Sequence, residues 1–372
     1  MKKKQILRLF YVFVLMLLSL AALCACSDGS DGAAQLGNGE QTEVIQSTEV
    51  DSQAGGGLQL TVLNVGDAAA QIVQVDGHVM VVDVGDKETT DHVKERLSAL
   101  GVDKLDAVVL SHGHSDHMGG YQALADYKIG TTYISPQAND TSTYRSAVEL
   151  CRANSDEVTI PQVGDTIELG AAKVQFLAPQ DEEYDDLNDS SVVVRITYGN
   201  TSFLLPGDME GVEAEQMMNS FADLETDVFV AAHHGSNNDA TNSYLLFRTL
   251  NPTAVIISSA GADSQYGFPH EEVLSRIGDL GATLYRTDLM GDIVVNSDGE
   301  TISFNTTGII AEQNHSEGAG LAGDAHYIGN VNSKKLHRAD CSGLPAEQNR
   351  VYFDSKEAAL QAGYTPCRNC NP

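Results

Sequence analysis

Leu105-Asp106-Ala107-Val108-Val109-Leu110-Ser111 runs directly into His112-Gly113-His114-Ser115-Asp116-His117. The first segment reads as a buried-type strand, because an apolar run this short and dense in valine and leucine suits a sheet covered on both faces. The second places four candidate ligands within six residues at the strand's C-terminal end. Imidazoles at alternate positions project to one side, and the tight turn returns Asp116 and His117 towards the same point. Nitrogen and oxygen donors of this kind suit a divalent transition metal and leave positions open for water.

Working outward, short β-rich segments alternate with helical patterns. Strands are predicted at Leu58–Leu63, Gln71–Val75, His78–Val84, Leu105–Ser111, Thr131–Ile134, Ala172–Leu177, Ser191–Tyr198, Ser202–Leu205, Val228–Ala231, Ala254–Ser258, Thr283–Tyr285, Asp292–Asn296 and Thr301–Asn305. Helical spacing covers Asp91–Leu100, Val212–Asn219, Asn242–Leu250 and Glu271–Leu280. Strands that come singly or in hairpins, with helices interspersed, fit two sheets flanked by helices better than a doubly wound sheet.

The histidine cluster resembles the signature motif of the metallo-β-lactamase superfamily, and Val82-Asp83-Val84-Gly85 is similar to the aspartate segment that precedes it. Asn188-Asp189-Ser190-Ser191, Leu205-Pro206-Gly207-Asp208, His233-His234-Gly235-Ser236, Tyr266-Gly267-Phe268-Pro269-His270 and Tyr285-Arg286-Thr287-Asp288 follow in an order that resembles the hydrolase domain of the ComEC competence proteins. The resemblance spans about residues 58 to 305 and implies an αββα sandwich. It implies that His112 and His114 hold one metal, that Asp116 and His117 face a second, and that Asp208 bridges them. His270 stands among the late ligands, while His233 and His234 stand where late ligands or substrate-contacting groups fall. Asp83 would orient the histidine loop through hydrogen bonds. Asn188 and Ser191 occupy the region where the superfamily usually has another histidine, so one or two metals, Zn or Mn, are implied. Phe268 stands where a histidine is frequent. The implied chemistry is phosphodiester hydrolysis of DNA or a nucleotide-like substrate: Asp116 or Asp208 orients a metal-bound hydroxide, and His234 and Ser236 stabilise developing charge.

The ends add a location and a second module. Lys2, Lys3, Lys4 and Arg8 precede the apolar run Ile6–Leu23, and Leu23-Cys24-Ala25-Cys26 resembles a bacterial lipobox. Residues 1–26 therefore read as a lipoprotein signal with Cys26 as the lipidated residue, giving an extracytoplasmic protein held at the membrane; an uncleaved anchor is the other reading. Residues 27–57 carry six acidic and no basic residues and read as a solvated tether. The formal charge of −30 becomes −34 once the four basic signal residues are removed. Such a surface repels polyanions at long range, so any nucleic-acid activity must rest on local metal charge or a local basic patch.

After a polar, Gly-rich linker at 306–323, the module 324–372 holds His337-Arg338-Ala339-Asp340-Cys341 and Cys367-Arg368-Asn369-Cys370. Three cysteines cannot all pair among themselves, which points to one tetrahedral zinc on His337, Cys341, Cys367 and Cys370. A Cys367–Cys370 disulfide is the alternative. A module this small has little core, and a structural metal compensates. Tyr327-Ile328-Gly329-Asn330, Lys334-Lys335-Leu336-His337 and Gly363-Tyr364-Thr365-Pro366-Cys367 resemble the metal-binding domain of the Ada repair protein. His337 replaces a cysteine of that pattern, which implies a structural site without a methyl-accepting thiol. The module carries +1 against −29 for 58–323, so Lys334, Lys335, Arg338, Arg350 and Arg368 are the residues available to meet DNA. Cys151, after a helix-like run, reads as a buried structural thiol. Two other functions stay open: hydrolysis of a non-nucleotide ester, lactone or envelope compound, and a non-catalytic DNA-binding or uptake lipoprotein.

Overall fold

The computed structural model describes residues 56–310, 327–338, 341, 343–346, 349–353, 356–368 and 370. The signal segment with Cys26, the tether to residue 55 and the linker from residue 311 lie outside them. Among the described residues no helix is long and apolar enough to cross a membrane.

Two eight-stranded sheets face one another. The first contains β1 (Leu58–Val62), β2 (Ala70–Val75), β3 (His78–Val84), β4 (Lys104–Leu110), β5 (Lys128–Ile134), β6 (Ser155–Thr159), β14 (Ile293–Ser297) and β15 (Ile302–Phe304), in the order β15-β14-β1-β2-β3-β4-β5-β6. The second contains β7 (Thr166–Leu169), β8 (Ala172–Ala178), β9 (Val193–Tyr198), β10 (Thr201–Leu205), β11 (Val228–Val230), β12 (Ala254–Ile257), β13 (Thr283–Arg286) and β16 (Ile309–Ile310). Its order is β16-β13-β12-β11-β10-β9-β8-β7. β3 to β6 run parallel in the first sheet and β10 to β13 in the second. The second sheet continues past the boundary expected at residue 305, because Ile309 and Ile310 pair with Leu284 and Thr283.

Leu60, Val73, Met80, Phe176, Val194, Phe203 and Ile256 fill the space between the sheets. The outer face of the first sheet buries helices α1 (Thr90–Ala99) and α3 (Ser142–Asn154) through Val93, Leu97, Ala147 and Cys151. The Thr141 hydroxyl accepts the Tyr144 amide and caps α3. Burial pushes the Cys151 thiol up to about 11, as suits an inert core thiol. The outer face of the second sheet buries α4 (Gly211–Ser220), α5 (Tyr244–Leu250) and α6 (Glu271–Leu280). Val273 and Ile277, at helical spacing, are the buried apolar side chains of α6, and Gly281, at φ 69°, ends it. The fold is thus an αββα sandwich, and the central parallel strands β4 and β12 are covered on both sides. That is why β4 reads as an unbroken apolar run.

A third, four-stranded sheet comprises β17 (Tyr327–Asn330), β18 (Lys335–Arg338), β19 (Arg350–Phe353) and β20 (Thr365–Pro366), in the order β19-β17-β18-β20. Its core among the described residues is Leu336, Ala359 and Tyr364, with Tyr327, Val351 and Phe353 packed alongside.

Candidate metal centre

The C-terminal ends of β3, β4, β10 and β11 deliver Asp83, His112, Asp208 and His233–His234 to one place, the edge where ligands gather in parallel sheets. Directly after β4 the chain forms the one-turn helix α2 (Ser115–Met118), which brings His117 back under the strand end. Asp116, His117, Asp208 and His234 each place a ligand atom within 4.8 Å of the others. His117 Nε2 lies 3.0 Å from Asp208 Oδ1, and His234 Nε2 lies 3.5 Å from Asp116 Oδ2 and 3.6 Å from Asp208 Oδ1.

Three of these atoms, His117 Nε2, Asp208 Oδ1 and His234 Nε2, are buried, and none has a well-directed hydrogen bond among the described residues. Buried polar atoms left unsatisfied are costly, and three converging on one point fit a cation that takes them all as ligands. The donor set of two imidazoles and two carboxylates suits Zn or Mn. His112 Nε2 and His114 Nδ1 lie 2.9 Å apart as an adjoining two-donor pair. Among the described residues no larger His, Cys, Asp or Glu group contains them.

Electrostatics in the site follow from burial and these contacts. Burial opposes charge on His117, but the Asp208 and Asp83 carboxylates outweigh it and hold its pKa well above the usual histidine value. Burial likewise opposes ionisation of Asp208, and the His117, His234 and His233 rings overcome it, so its pKa falls well below the carboxylate range. The same balance, with the adjacent His234 ring as the largest favourable part, lowers Asp116. His112 is pushed well below its ordinary value by burial and by the neighbouring His117, so it is neutral and ready to ligate.

A second layer fixes the ligands. Asp83, fully buried and at φ 56°, accepts the Ser111 amide on Oδ1 and the Ser111 hydroxyl on Oδ2, both at 2.7 Å. His117 Nδ1 donates to Asp83 Oδ2 at 2.8 Å. Ser191 Oγ accepts the Asp208 amide at 3.1 Å and lies 3.4 Å from His112 Nδ1. Gly207, at φ 60°, has no room for a side chain, since a Cβ there would come within 2.7 Å of the Ser111 Cβ.

His233 and His234 occupy consecutive left-handed conformations, φ 47° and 55°, uncommon for residues with a side chain. This kink turns both rings to the site: His234 into the donor group, His233 against Glu210 Oε1 at 3.1 Å and Asp208 Oδ2 at 3.7 Å. Asn188 Nδ2 donates to the same Glu210 oxygen at 3.2 Å.

One expectation is corrected. His270 lies outside the donor group: its Nδ1 accepts the Asn237 amide at 2.8 Å, and it stands at the head of α6, so His234 supplies the late imidazole instead. Ser236 is buried, and its hydroxyl oxygen accepts the Asn238 amide within its own turn, which leaves its O–H as a donor. Glu210 and Ser111 were not anticipated. Glu210 follows Asp208 by two residues, yet only its burial and its contacts mark it out.

In the C-terminal sheet, His337, Cys341, Cys367 and Cys370 form the other grouped donor set, and none of the three cysteines is in a disulfide. His337 Nδ1 lies 3.4 Å from Cys341 Sγ, and the Arg338 and Gly343 amides donate to the Cys370 and Cys341 sulfurs, each at 3.4 Å. Amide donation to sulfur in this way stabilises thiolate ligands. Tetrahedral Cys3His geometry suits zinc and leaves the disulfide reading without support.

Taken together, the sandwich and its edge-sited histidine–carboxylate group define a metal-dependent hydrolase. The model of the metallo-beta-lactamase superfamily matches residues 64–259, and the chain belongs to that superfamily. The metal binding domain of Ada matches residues 321–372. The chain is 30% identical over 199 residues to ComE operon protein 3 of Bacillus subtilis, covering 53% of this chain and 25% of that protein. It is 28% identical over 234 residues to competence protein ComA of Neisseria gonorrhoeae, covering 62% and 31% respectively. A stretch of 65 residues is 43% identical to hydroxyacylglutathione hydrolase of Aeromonas hydrophila, covering 18% of this chain and 24% of that one. The chain therefore spans about a quarter to a third of the two competence proteins it matches.

Proposed function

We propose that this protein hydrolyses phosphodiesters of DNA or nucleotides outside the cytoplasm, tethered to the membrane by lipid on Cys26. The observation that carries the reading is the Asp116–His117–Asp208–His234 donor group on a domain similar over 62% of the chain to a competence protein. These four residues would hold a divalent ion, with His112 and His114 beside it. A divalent ion bound there supplies Lewis acidity and lowers the pKa of water to near neutrality. Asp116, the most exposed of the four, faces incoming water and orients it. Asp83 and Ser111 hold His117 in the tautomer that presents Nε2. His233, fixed by Glu210, presents a polar edge to the substrate beside Asp208. The C-terminal module would hold nucleic acid through Lys334, Lys335, Arg338, Arg350 and Arg368, since its charge of +1 contrasts with −29 for residues 58–323.

The test is hydrolysis of single-stranded DNA, duplex DNA and a simple phosphodiester by the mature chain supplied with Mn or Zn. The segment similar to hydroxyacylglutathione hydrolase supports a second reading, hydrolysis of a thioester or other carboxylic ester. Activity on such esters with none on phosphodiesters decides for it.

A further inference from the structure

Tyr266 is the most exposed large apolar side chain among the described residues, at 71%. It stands on a loop tied down at both ends: the Ala260 amide donates to Asp67 Oδ1 at 2.8 Å, and the His270 amide donates to the Gly235 carbonyl at 3.0 Å. Within the loop, Ser264 Oγ accepts the Tyr266 and Phe268 amides at 3.2 and 2.9 Å. Gly267, at φ 79°, reverses the chain between the two aromatic residues. One face of Tyr266 stacks on Phe268, with ring centroids 5.5 Å apart and planes at 25°. Phe268 is buried and meets the His233 and His234 rings at 5.4 and 6.2 Å. Tyr266 is thus two ring contacts from the donor group, rigidly held and open to solvent on its outer face.

An exposed aromatic ring braced in this way has no packing role on that outer face. Bases stack on such rings with little sequence preference, because every base has a π-face. A base inside a duplex has both faces already stacked, and the acidic domain gives a long duplex no general electrostatic attraction. We propose that Tyr266 is a stacking platform that selects phosphodiesters flanked by an unpaired base, so single strands, ends and nucleotides are preferred to duplex interiors. The proposal rests on the phosphodiesterase reading and names the substrate class of that site.

The test compares wild type, Tyr266→Ala and Tyr266→Phe in the metal-loaded mature chain on two chromogenic diesters, the para-nitrophenyl ester of thymidylate and methyl para-nitrophenyl phosphate. These differ only in the nucleoside. Tyr266→Ala should raise KM for the thymidylate ester about tenfold or more, with kcat little changed. It should leave the methyl ester unaffected, and Tyr266→Phe should behave as wild type. Calorimetric binding of thymidine monophosphate should weaken by the same factor in Tyr266→Ala. Equal binding in wild type and Tyr266→Ala, or no binding by either, overturns the platform. Tyr266-dependent binding without hydrolysis of either ester leaves the platform standing and overturns the phosphodiesterase reading.

Discussion

Asp83 Oδ2 and His117 Nδ1 lie 2.8 Å apart, with both side chains fully buried. Their pairing couples the end of β3 to the histidine loop after β4, and it leaves His117 Nε2 as the atom facing Asp208. A carboxylate behind a ligating imidazole fixes its tautomer and raises its basicity. Replacing Asp83 with Asn should therefore weaken metal binding about 10- to 100-fold, measured by competition with a chromophoric chelator. An unchanged affinity would show that the pair only packs.

Glu213 gives a pH prediction away from the metal. It is fully buried, and among the described residues neither carboxylate oxygen has a well-directed hydrogen-bond partner. Burial, and then the Asp189 charge, push its pKa well above the usual glutamate value; burial also raises Asp189 to about 6. A carboxyl group whose folded pKa is raised contributes stability that is present below its unfolded pKa and lost as pH rises through its folded pKa. Stability should fall from about pH 4 upward, through 6 and beyond. Glu213→Gln should flatten that fall and raise Tm at pH 8 by several degrees, at roughly 2–4 °C per kcal/mol. Thermal melts with the same pH slope in both proteins would refute this.

The Glu210–His233 pair carries a kinetic prediction. Because Glu210 meets His233, which lies 3.7 Å from Asp208, Glu210→Gln should lower kcat by roughly 10-fold or more while bound metal stays the same. Loss of metal in step with activity would assign Glu210 a purely structural part.

For the C-terminal module, the described core of Leu336, Ala359 and Tyr364, with Tyr327, Val351 and Phe353 alongside, is small, and a structural metal compensates. Cys367→Ala should remove one equivalent of zinc per chain and make the module sensitive to protease. Full zinc content in that variant would rule out the Cys3His site.

How much of this was legible in the sequence depends on how local each signal is. The cluster from His112 to His117 is contiguous, so strand, turn and ligands could be read together. Asp208 was marked by the Pro206–Gly207 turn that ends β10. His234 could not be separated from His233 or His270, because the choice depends on two consecutive left-handed residues that no pattern encodes. Glu210 was hidden for the same reason: its burial comes from Asn188 and His233, 22 and 23 residues away. The strands β6 and β7 were missed because Ser155–Thr159 and Thr166–Leu169 are edge segments with alternating or wholly polar exposure.

The central claim is that Asp116, His117, Asp208 and His234 hold the ion that drives phosphodiester hydrolysis. The most direct measurement is metal content determined together with hydrolysis of single-stranded DNA, duplex DNA and a simple phosphodiester, for wild type and Asp116→Ala. The account predicts metal-dependent cleavage by wild type and none by Asp116→Ala, with circular dichroism and Tm of the variant close to wild type. Undiminished cleavage by Asp116→Ala, or no cleavage of any diester by metal-loaded wild type, would contradict it.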